Sequence, residues 1–473
     1  MRETPLMITS GRGAELEDDR GRRYLDANSS IWTNLHGHQH PKLDAAVRSQ
    51  LTRVAHVSAL GLANEPAAEL AAKLAGVCGR SLKRARLKAA SAPPPGALSK
   101  VFFSDDGSTA MEAAIKMAYE FARRAGITRE PRFLTLDGAY HGDTVGAVSL
   151  GAIDLFHKAY SGLLFKTDRA MSPHCYRCPF NKAKPERADA RSYRKCQWEC
   201  VREVEKSFDA QKQKGGGYAF LTIEPLMQGA AGMVAQPDGW LERIAGLARS
   251  HGTRLIFDEV MTGFGRTGTE PGFGRAGRWF AFEKSGIVPD LLCLAKGLTG
   301  GYMPMAATLA SQEIFDVFLG GYEEFKTFFH GHSYTGNPLG AAVANANLEV
   351  LSAEHGHGHR ASLEREFGQL LKGLWSLENV GDIRQVGLVA GIELVKNWRT
   401  REPIALKERA GFRVCEAMIR RGVITRPIGS VIVLMPPYCT TPDQLQQIIT
   451  ALAESIQEVF GGIRKNPKPT VGL

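Results

Sequence analysis

The sequence has no run of about 18 consecutive apolar residues, so it contains no membrane-spanning helix of ordinary length. Its first residues, MRETPLMITSGRG, lack the basic-then-apolar pattern of an export signal, and we expect a cytoplasmic protein. Clustered positive charge is missing too. The net charge is +10, but the basic residues are dispersed among acidic ones. We therefore expect neither a membrane nor a nucleic acid as a partner.

Cysteine is sparse, with 8 residues in 473, and four of the eight are scattered. The other four form a CxxC…CxxxC pattern in a polar, basic insert, at Cys175, Cys178, Cys196 and Cys200. This spacing could hold a structural zinc ion. The alternative is a set of reduced thiols on an excursion from the main fold. We favour no metal, because zinc sites more often have two tight, similarly spaced pairs.

Two short apolar runs each end in a single charged residue. Leu255 to Phe257 is followed by Asp258, and Leu291 to Ala295 is followed by Lys296. Continuous apolar runs without alternation are typical of strands that are buried on both faces. Ligands of open α/β sheets bind beyond the carboxyl ends of such strands. We therefore expect Asp258 and Lys296 to face one pocket from neighbouring strand ends.

This pair has a specific chemical use. A lysine can form a Schiff base with an aldehyde cofactor, and a carboxylate can keep a pyridine nitrogen protonated. Either residue alone is more often a surface charge. The segment AKGLTGG, however, places three glycines after Lys296, where they permit unusual backbone angles and close approach of a ligand. The pattern predicts a pyridoxal phosphate (PLP) enzyme with Lys296 and Asp258 at its centre.

A phosphate site is also indicated. Val101 to Phe103 is predicted as a strand and Met111 to Arg124 as a helix, and the loop between them contains Gly107 and Ser108. The amino end of a helix presents free N–H groups and a positive dipole to an anion. Taken alone, the loop is a weak signal, because Asp and Ser also cap helices for structural reasons.

Five segments together resemble the class III aminotransferases of PLP fold type I: DEVMTGFGRTG, LAKGLTGG, AYHGDTVGAVS, EPLMQGAAGM and HGHSYTGNPL. The resemblance covers nearly the whole chain. It implies an α/β fold with a large domain built on a mostly parallel sheet and a small α/β domain formed by both chain ends. We expect residues 1–55 and 335–473 to form the small domain and residues 56–334 to form the large one.

The resemblance also assigns residues to the cofactor. Tyr140 and Val260 would lie on the two faces of the PLP ring. Gly107 and Ser108 would hold its phosphate group. Ser333 would reach the phosphate from the other subunit, because the family implies a homodimer with shared active sites. Lys296, Asp258 and Tyr140 would be the catalytic residues.

Trp32, Asp143 and Arg426 are the residues that the resemblance assigns to the substrate. A further arginine of the GFGR motif would bind a substrate carboxylate, and here the motif occurs twice, in GFGRTGTEP and GFGRAGRWF. Arg266 keeps the family's distance from the strand that ends at Asp258, whereas Arg275 keeps the distance to the next aromatic run. We predict Arg266 as the substrate contact, with residues 269–276 bulging out as a loop.

Within the family, the segments SSIWTNLHGHQHP, LCLAKGLTGG and VITRPIGSVIVLMPP are most similar to members that act in biotin biosynthesis. The implied reaction is amino transfer to 8-amino-7-oxononanoate from S-adenosylmethionine, or from lysine as in some relatives. The alternative is an ω-amino acid or polyamine transaminase that uses pyruvate. Relatives also carry an aromatic W-x-P-[FY]-T-x-M segment, and we expect the upstream coding sequence to contain one.

Overall fold

The computed structural model describes residues 5–86, 98–268 and 278–461, and its centre is a seven-stranded sheet. In spatial order the strands are Leu98–Ser104, Ala306–Ser311, Leu291–Leu294, Arg254–Asp258, Phe220–Ile223, Phe133–Leu136 and Asp168–Ala170. Ala306–Ser311 is antiparallel to both of its neighbours, and the other neighbouring strands are paired in parallel. This is the mostly parallel α/β sheet that was expected.

The two ends of the chain meet in smaller sheets. Ile8–Arg12, Glu15–Asp18 and Arg23–Asp26 form an antiparallel set, and Val423–Ile424 joins it in parallel beside Arg23–Asp26. A second sheet contains Val380–Val386, Val389–Asn397, Val431–Leu434 and Pro427–Ile428, with Glu402–Pro403 at its side. Met227–Gln228 and Val234–Ala235 form a separate pair. The pairing of residues 23–26 with residues 423–424 ties the amino-terminal segment to the carboxyl-terminal one. The domain boundaries at 55 and 334 remain predictions.

Helices cover the faces of these sheets. The longer ones are Pro41–Leu51, Glu65–Arg86, Gly107–Arg124, Glu199–Gln213, Trp240–Ser250, Pro338–Ser352, Glu354–Gly373, Ala410–Arg420 and Pro442–Gly461. The short ones are Val145–Leu150, Asp154–His157, Ala190–Tyr193, Phe282–Ser285 and Gln312–Asp316, and Ser29–Trp32 forms a single left-handed turn. Single 3₁₀ turns span Lys158–Leu163, Lys296–Thr299, Tyr322–Glu324, Leu374–Ser376 and Leu406–Glu408. Within the described ranges, no helix combines the length and the apolar character needed to cross a membrane.

The helix Gly107–Arg124 shows how the sequence fixes one element against the sheet. The Asp106 carboxylate accepts a hydrogen bond from the Thr109 backbone N–H at 2.9 Å, and this cap sets where the helix begins. Ala114 and Ala118 are buried on its apolar face, and the ring of Phe121 meets that of Phe220 at 6.4 Å between centroids. The capped end therefore lies at the carboxyl edge of the sheet, in position to meet a ligand.

The cysteine-bearing insert packs against the sheet that contains Val380–Val386 and Val389–Asn397. The Arg187 guanidinium donates to the backbone carbonyls of Leu377 and Val380 at 2.6 and 2.7 Å. Arg177 pairs with Glu393 at 2.7 Å. Side chains of the insert therefore link the segment around residues 171–200 to the sheet formed by residues 380–397.

Candidate active site

A cavity of about 1120 Å³ opens at the carboxyl edge of the central sheet. Residues predicted for the cofactor or the substrate share its wall: Trp32, Gly107, Ser108, Tyr140, Asp143, Asp258, Val260, Lys296 and Arg426. They come from separate segments of the chain and meet because parallel strands end on the same side. The cavity lies where α/β sheets bind their ligands.

Asp258 and Lys296 occupy the positions predicted for them. Their strands, Arg254–Asp258 and Leu291–Leu294, are parallel neighbours, and Asp258 lies opposite Cys293 in the pairing. Burial lowers the pKa of Lys296 to about 8, although the charges of Asp258 and Glu224 act in the opposite direction. A lysine with such a pKa is partly neutral near pH 7, which suits it to act as a nucleophile and as a carrier of protons.

Asp258 has a partner that the sequence did not reveal. Its Oδ2 atom lies 2.8 Å from Nδ1 of His141, and its Oδ1 atom accepts the Val260 backbone N–H at 3.0 Å. Burial lowers the pKa of His141, but the hydrogen bond and charge of Asp258 outweigh it, so that the pKa is raised. The ring of His141 therefore supports the Asp258 carboxylate.

Glu224 is a second buried carboxylate on the cavity wall. It follows the strand Phe220–Ile223, which neighbours the Asp258 strand, and accepts backbone N–H groups of Gly229 at 2.8 Å and Tyr140 at 3.2 Å. Burial raises the pKa of Glu224 to about 7. A charged residue directly after an apolar run was the signal that could have predicted this position.

The cavity wall fits PLP at the phosphate end. A Cβ atom added to Gly107 would lie 2.8 Å from Cγ1 of Val260, so only glycine brings the first helical turn this close. The Asp106 carboxylate caps Thr109, and Gly107 and Ser108 of the same first turn line the cavity. Together with Tyr140 and Val260 on the cavity wall, the amine of Lys296 and the carboxylate of Asp258, these residues could hold each part of the cofactor.

Tyr140 and Asp143 are joined directly, since the Tyr140 hydroxyl donates to Oδ2 of Asp143 at 2.9 Å. Burial and this hydrogen bond raise the pKa of Tyr140, so the phenol stays protonated. Asp143 itself is exposed at the cavity mouth. Trp32 lies across the cavity, with Nζ of Lys296 4.5 Å from the centroid of its ring.

The two predicted substrate arginines are placed differently. Arg426 is exposed and lines the cavity. Arg266 is 1% exposed, donates to the carbonyls of Pro436 at 2.8 Å and Asn34 at 3.1 Å, and is not part of the cavity wall. This geometry gives no support to the prediction that Arg266 binds a substrate carboxylate, because its guanidinium donates to buried backbone carbonyls instead of facing the cavity. Arg275 and the loop predicted at 269–276 lie outside the described residues.

Ser333 is exposed and does not line the cavity of its own chain. The prediction that it acts on the phosphate of a partner subunit stays a prediction. The four cysteines of the insert are free thiols, and burial raises the pKa of Cys175 to about 12 and that of Cys200 to about 11. Across the described parts of the chain, no group of three or more His, Cys, Asp or Glu side chains is arranged to hold a metal ion.

A family model described as aminotransferase class III matches residues 1–456. The chain belongs to this family. The curated relatives include an adenosylmethionine-8-amino-7-oxononanoate aminotransferase of Geobacter sulfurreducens, 44% identical over 97% of this chain and 93% of that protein. One with the same name from Nitratidesulfovibrio vulgaris is 46% identical over 96% of this chain and 78% of that protein.

Solved structures of aminotransferases agree with the fold. A crystal structure with the same enzyme name from Methanocaldococcus jannaschii superposes with a TM-score of 0.82 at 37% identity, covering 96% of this chain and 94% of that chain. An amine transaminase from an uncultivated Pseudomonas species, in its PLP-bound form, gives a TM-score of 0.83 at 30% identity, covering 97% and 96%. The PLP fold type I architecture expected from the sequence is confirmed.

Proposed function

We propose that this protein transfers an amino group from S-adenosylmethionine to 8-amino-7-oxononanoate, giving 7,8-diaminononanoate for biotin biosynthesis. The observation that carries the proposal is the placement of Lys296 and Asp258 at neighbouring parallel strand ends on one cavity. Full-length relatives from several organisms bear the name of this reaction. PLP is the cofactor.

When bound, PLP supplies an electron sink that stabilises negative charge on the substrate carbon next to nitrogen. Lys296 would hold the cofactor and would carry a proton to and from that carbon, for which its lowered pKa, about 8, suits it. Asp258 would keep a proton on the pyridine nitrogen, and His141 stabilises the charge of that carboxylate through the 2.8 Å contact. Tyr140 and Val260 would lie on the two faces of the ring.

The exposed end of the cavity carries the groups that would determine substrate specificity. Arg426 offers a planar donor to the acceptor's carboxylate, and Asp143 offers a negative charge to an amine or to another cationic group. Trp32 supplies an apolar face beside Lys296 for an aliphatic chain. These groups suit a long substrate with a carboxylate at one end and an amine near the reacting ketone.

The working form is a homodimer. Ser333 is exposed on the segment 328–338, which also carries the exposed aromatic side chains Phe329 and Tyr334. Contact with a second copy would cover these side chains and bring Ser333 to the partner's phosphate site. Closed two-fold dimers are the commonest assembly of such enzymes.

A second candidate is transamination of an ω-amino acid or amine with pyruvate. The favouring observation is that several solved amine and ω-transaminases superpose with TM-scores of 0.83 to 0.84 at 26–30% identity. A fold of this kind supports both reactions, so the donor and the acceptor decide between them.

The test is a donor and acceptor screen with the purified enzyme. With 8-amino-7-oxononanoate as acceptor, we expect product from S-adenosylmethionine and little from lysine, and no comparable turnover of an amine with pyruvate. Lys296→Ala is the control for background chemistry. Product from lysine alone would change the donor, and efficient use of pyruvate with no product from 8-amino-7-oxononanoate would favour the second candidate.

A further inference from the structure

The cavity residue Trp32 is the last residue of a left-handed backbone turn. Its four residues, none of them glycine, share positive φ angles: Ser29 47°, Ser30 47°, Ile31 65° and Trp32 69°. The Trp32 backbone N–H donates to the Asn28 carbonyl at 2.9 Å, as in one turn of a helix. Left-handed turns of L residues are disfavoured because Cβ crowds the following carbonyl oxygen. Such a conformation persists only where its surroundings impose it.

Asp26 holds the start of this turn. It is 1% exposed, and its Oδ1 atom accepts the Asn28 backbone N–H at 3.1 Å while Oδ2 accepts the Ser30 hydroxyl at 2.8 Å. Burial raises the pKa of Asp26, but hydrogen bonds from His38, Ser30 and Asn28 outweigh it, so that the pKa is lowered. The carboxylate is therefore charged and accepts on both oxygens inside the turn.

Asn28 fixes the side chain of Trp32, the last residue of the turn. It is 4% exposed, and its Oδ1 atom accepts the indole N–H of Trp32 at 2.9 Å. The far edge of the indole packs on Gly229, where an added Cβ would come within 3.2 Å of Cζ3 of Trp32. The ring is thus fixed at its N–H and confined at its opposite edge, which leaves its face over Lys296.

We propose that Asp26 and Asn28 are positioning residues, which hold the indole of Trp32 over Nζ of Lys296 and so keep water away from that amine. Asp26 sets the left-handed turn, and Asn28 sets the rotation of the ring. The inference rests on the proposed function only for the role of Lys296, since the shielding itself is a property of the protein.

The first measurement is the reactivity of the amine, independent of turnover. The full chain, freed of cofactor, is treated with trinitrobenzenesulfonate over a range of pH, and labelling of Lys296 is followed by peptide mass spectrometry. Since burial lowers the pKa of Lys296 to about 8, wild-type labelling should show its midpoint there. In Asn28→Ala and Asp26→Ala, water reaches the amine and the midpoint should rise by about one pH unit. The charges facing Lys296, Asp258 and Glu224, are unchanged in these variants.

The second measurement is a double-mutant cycle in the cofactor-loaded enzyme. Asn28→Ala should lower kcat/KM about tenfold, and Trp32→Phe, which keeps a ring but loses the N–H, should do the same. If Asn28 acts through the indole, Asn28→Ala adds little in the Trp32→Phe background. Asp26→Asn should recover most of the loss of Asp26→Ala, because an amide can accept from the Asn28 N–H and donate to Ser30.

The matched control is Asp18→Ala. Asp18 is 2% exposed in the same amino-terminal sheet and accepts from the N–H groups of Arg20 and Arg22, but it does not contact the turn. It should lose stability without moving the labelling midpoint. A midpoint near 8 in Asn28→Ala, a shift of equal size in Asp18→Ala, or fully additive losses in the cycle would each overturn the proposal. If the enzyme proves to catalyse another reaction, the labelling result still shows whether Asp26 and Asn28 keep water away from Lys296.

Discussion

The Nδ1 atom of His141 lies 2.8 Å from Oδ2 of Asp258, and both side chains are buried at the cavity wall. A buried carboxylate needs donors to its charged form. Asp258 finds two, from His141 and from the Val260 backbone. In the proposed mechanism, the histidine would therefore help this carboxylate to keep a proton on the cofactor's ring nitrogen.

We predict that His141→Ala lowers kcat by about 10- to 100-fold, since a hydrogen bond to a charged group is worth about 1.5–3 kcal/mol. His157→Ala is the control, because His157 is also buried and stacks on Tyr140 at 6.2 Å between centroids but has no contact with Asp258. Steady-state rates with saturating donor and acceptor measure the effect. Equal losses in the two variants would show that only packing was disturbed.

The second prediction concerns the pH dependence of cofactor attachment. Burial lowers the pKa of Lys296 from 10.5 to about 8, so its neutral, nucleophilic form predominates above pH 8 and is lost as the pH falls below that value. The rate at which added PLP attaches to cofactor-free enzyme should rise with pH and level off above about pH 8. For a solvent-exposed lysine the rate would continue to rise above that pH, because its neutral fraction would still be increasing.

Asp258→Asn sharpens this test, because the Asp258 charge raises the pKa of Lys296 and its removal should move the midpoint below 8. Absorbance of the bound cofactor gives the rate, and borohydride fixation with peptide mapping gives the residue. A midpoint near 10.5, or a label on another lysine, would contradict the assignment.

Much of the fold was readable from local pattern. The apolar runs before Asp258 and Lys296 are strands, and they are parallel neighbours as expected for runs buried on both faces. The helix predicted from Met111 begins earlier, at Gly107, because the cap is formed by the side chain of Asp106 with Thr109. Capping is a matter of side-chain geometry, which hydrophobic periodicity does not register.

The contacts at the site that the sequence did not reveal are made between distant segments. His141 and Asp258 are 117 residues apart, so nothing local linked them. Arg266 was assigned by its distance from the strand, but its guanidinium turns inward to carbonyls of Asn34 and Pro436, far away in sequence. Spacing along the chain places a backbone at a site, whereas side-chain direction depends on partners that only the folded structure brings near.

The third prediction separates the two arginines. Arg426→Ala should raise the KM for the acceptor about 10- to 100-fold, because the residue lines the cavity and offers a planar contact to a carboxylate. Arg266→Ala should instead lower the free energy of unfolding by about 2–4 kcal/mol, since it leaves two buried carbonyls without a donor. Initial rates against acceptor concentration and denaturant unfolding provide the two values. A raised KM in a stable Arg266→Ala enzyme would restore the original assignment.

The last prediction concerns a buried charge network beside the cavity. Arg384 lies 2.5 Å from Oε2 of Glu393 and 3.1 Å from Oδ2 of Asp382, and it donates to the carbonyls of Gly232 and Met233 at 2.7 and 3.0 Å. Those carbonyls belong to the loop that carries Ala230 into the cavity wall. Arg384 thus joins the strand Val380–Val386 to the wall of the cavity.

Arg384→Met removes the cation and leaves two buried carboxylates, so we expect the free energy of unfolding to fall by about 3–5 kcal/mol. Burial already raises the pKa of Asp382 to about 7 in the presence of Arg384, and without it the pKa rises further. A carboxyl whose pKa is raised on folding costs stability as the pH increases, because the unfolded chain releases the proton first. The variant should therefore be less stable at pH 8 than at pH 6.

Denaturant unfolding at both pH values, with acceptor KM measured at pH 8, checks this. Arg399→Met is the matched control, since Arg399 pairs with Glu378 at 3.0 Å on the surface and exposed pairs contribute at most about 1 kcal/mol. A loss no larger than that of Arg399→Met would mean that the network carries no net stability. A large loss of unfolding free energy with an unchanged acceptor KM would mean that the loop around Ala230 keeps its position without the contacts of Arg384.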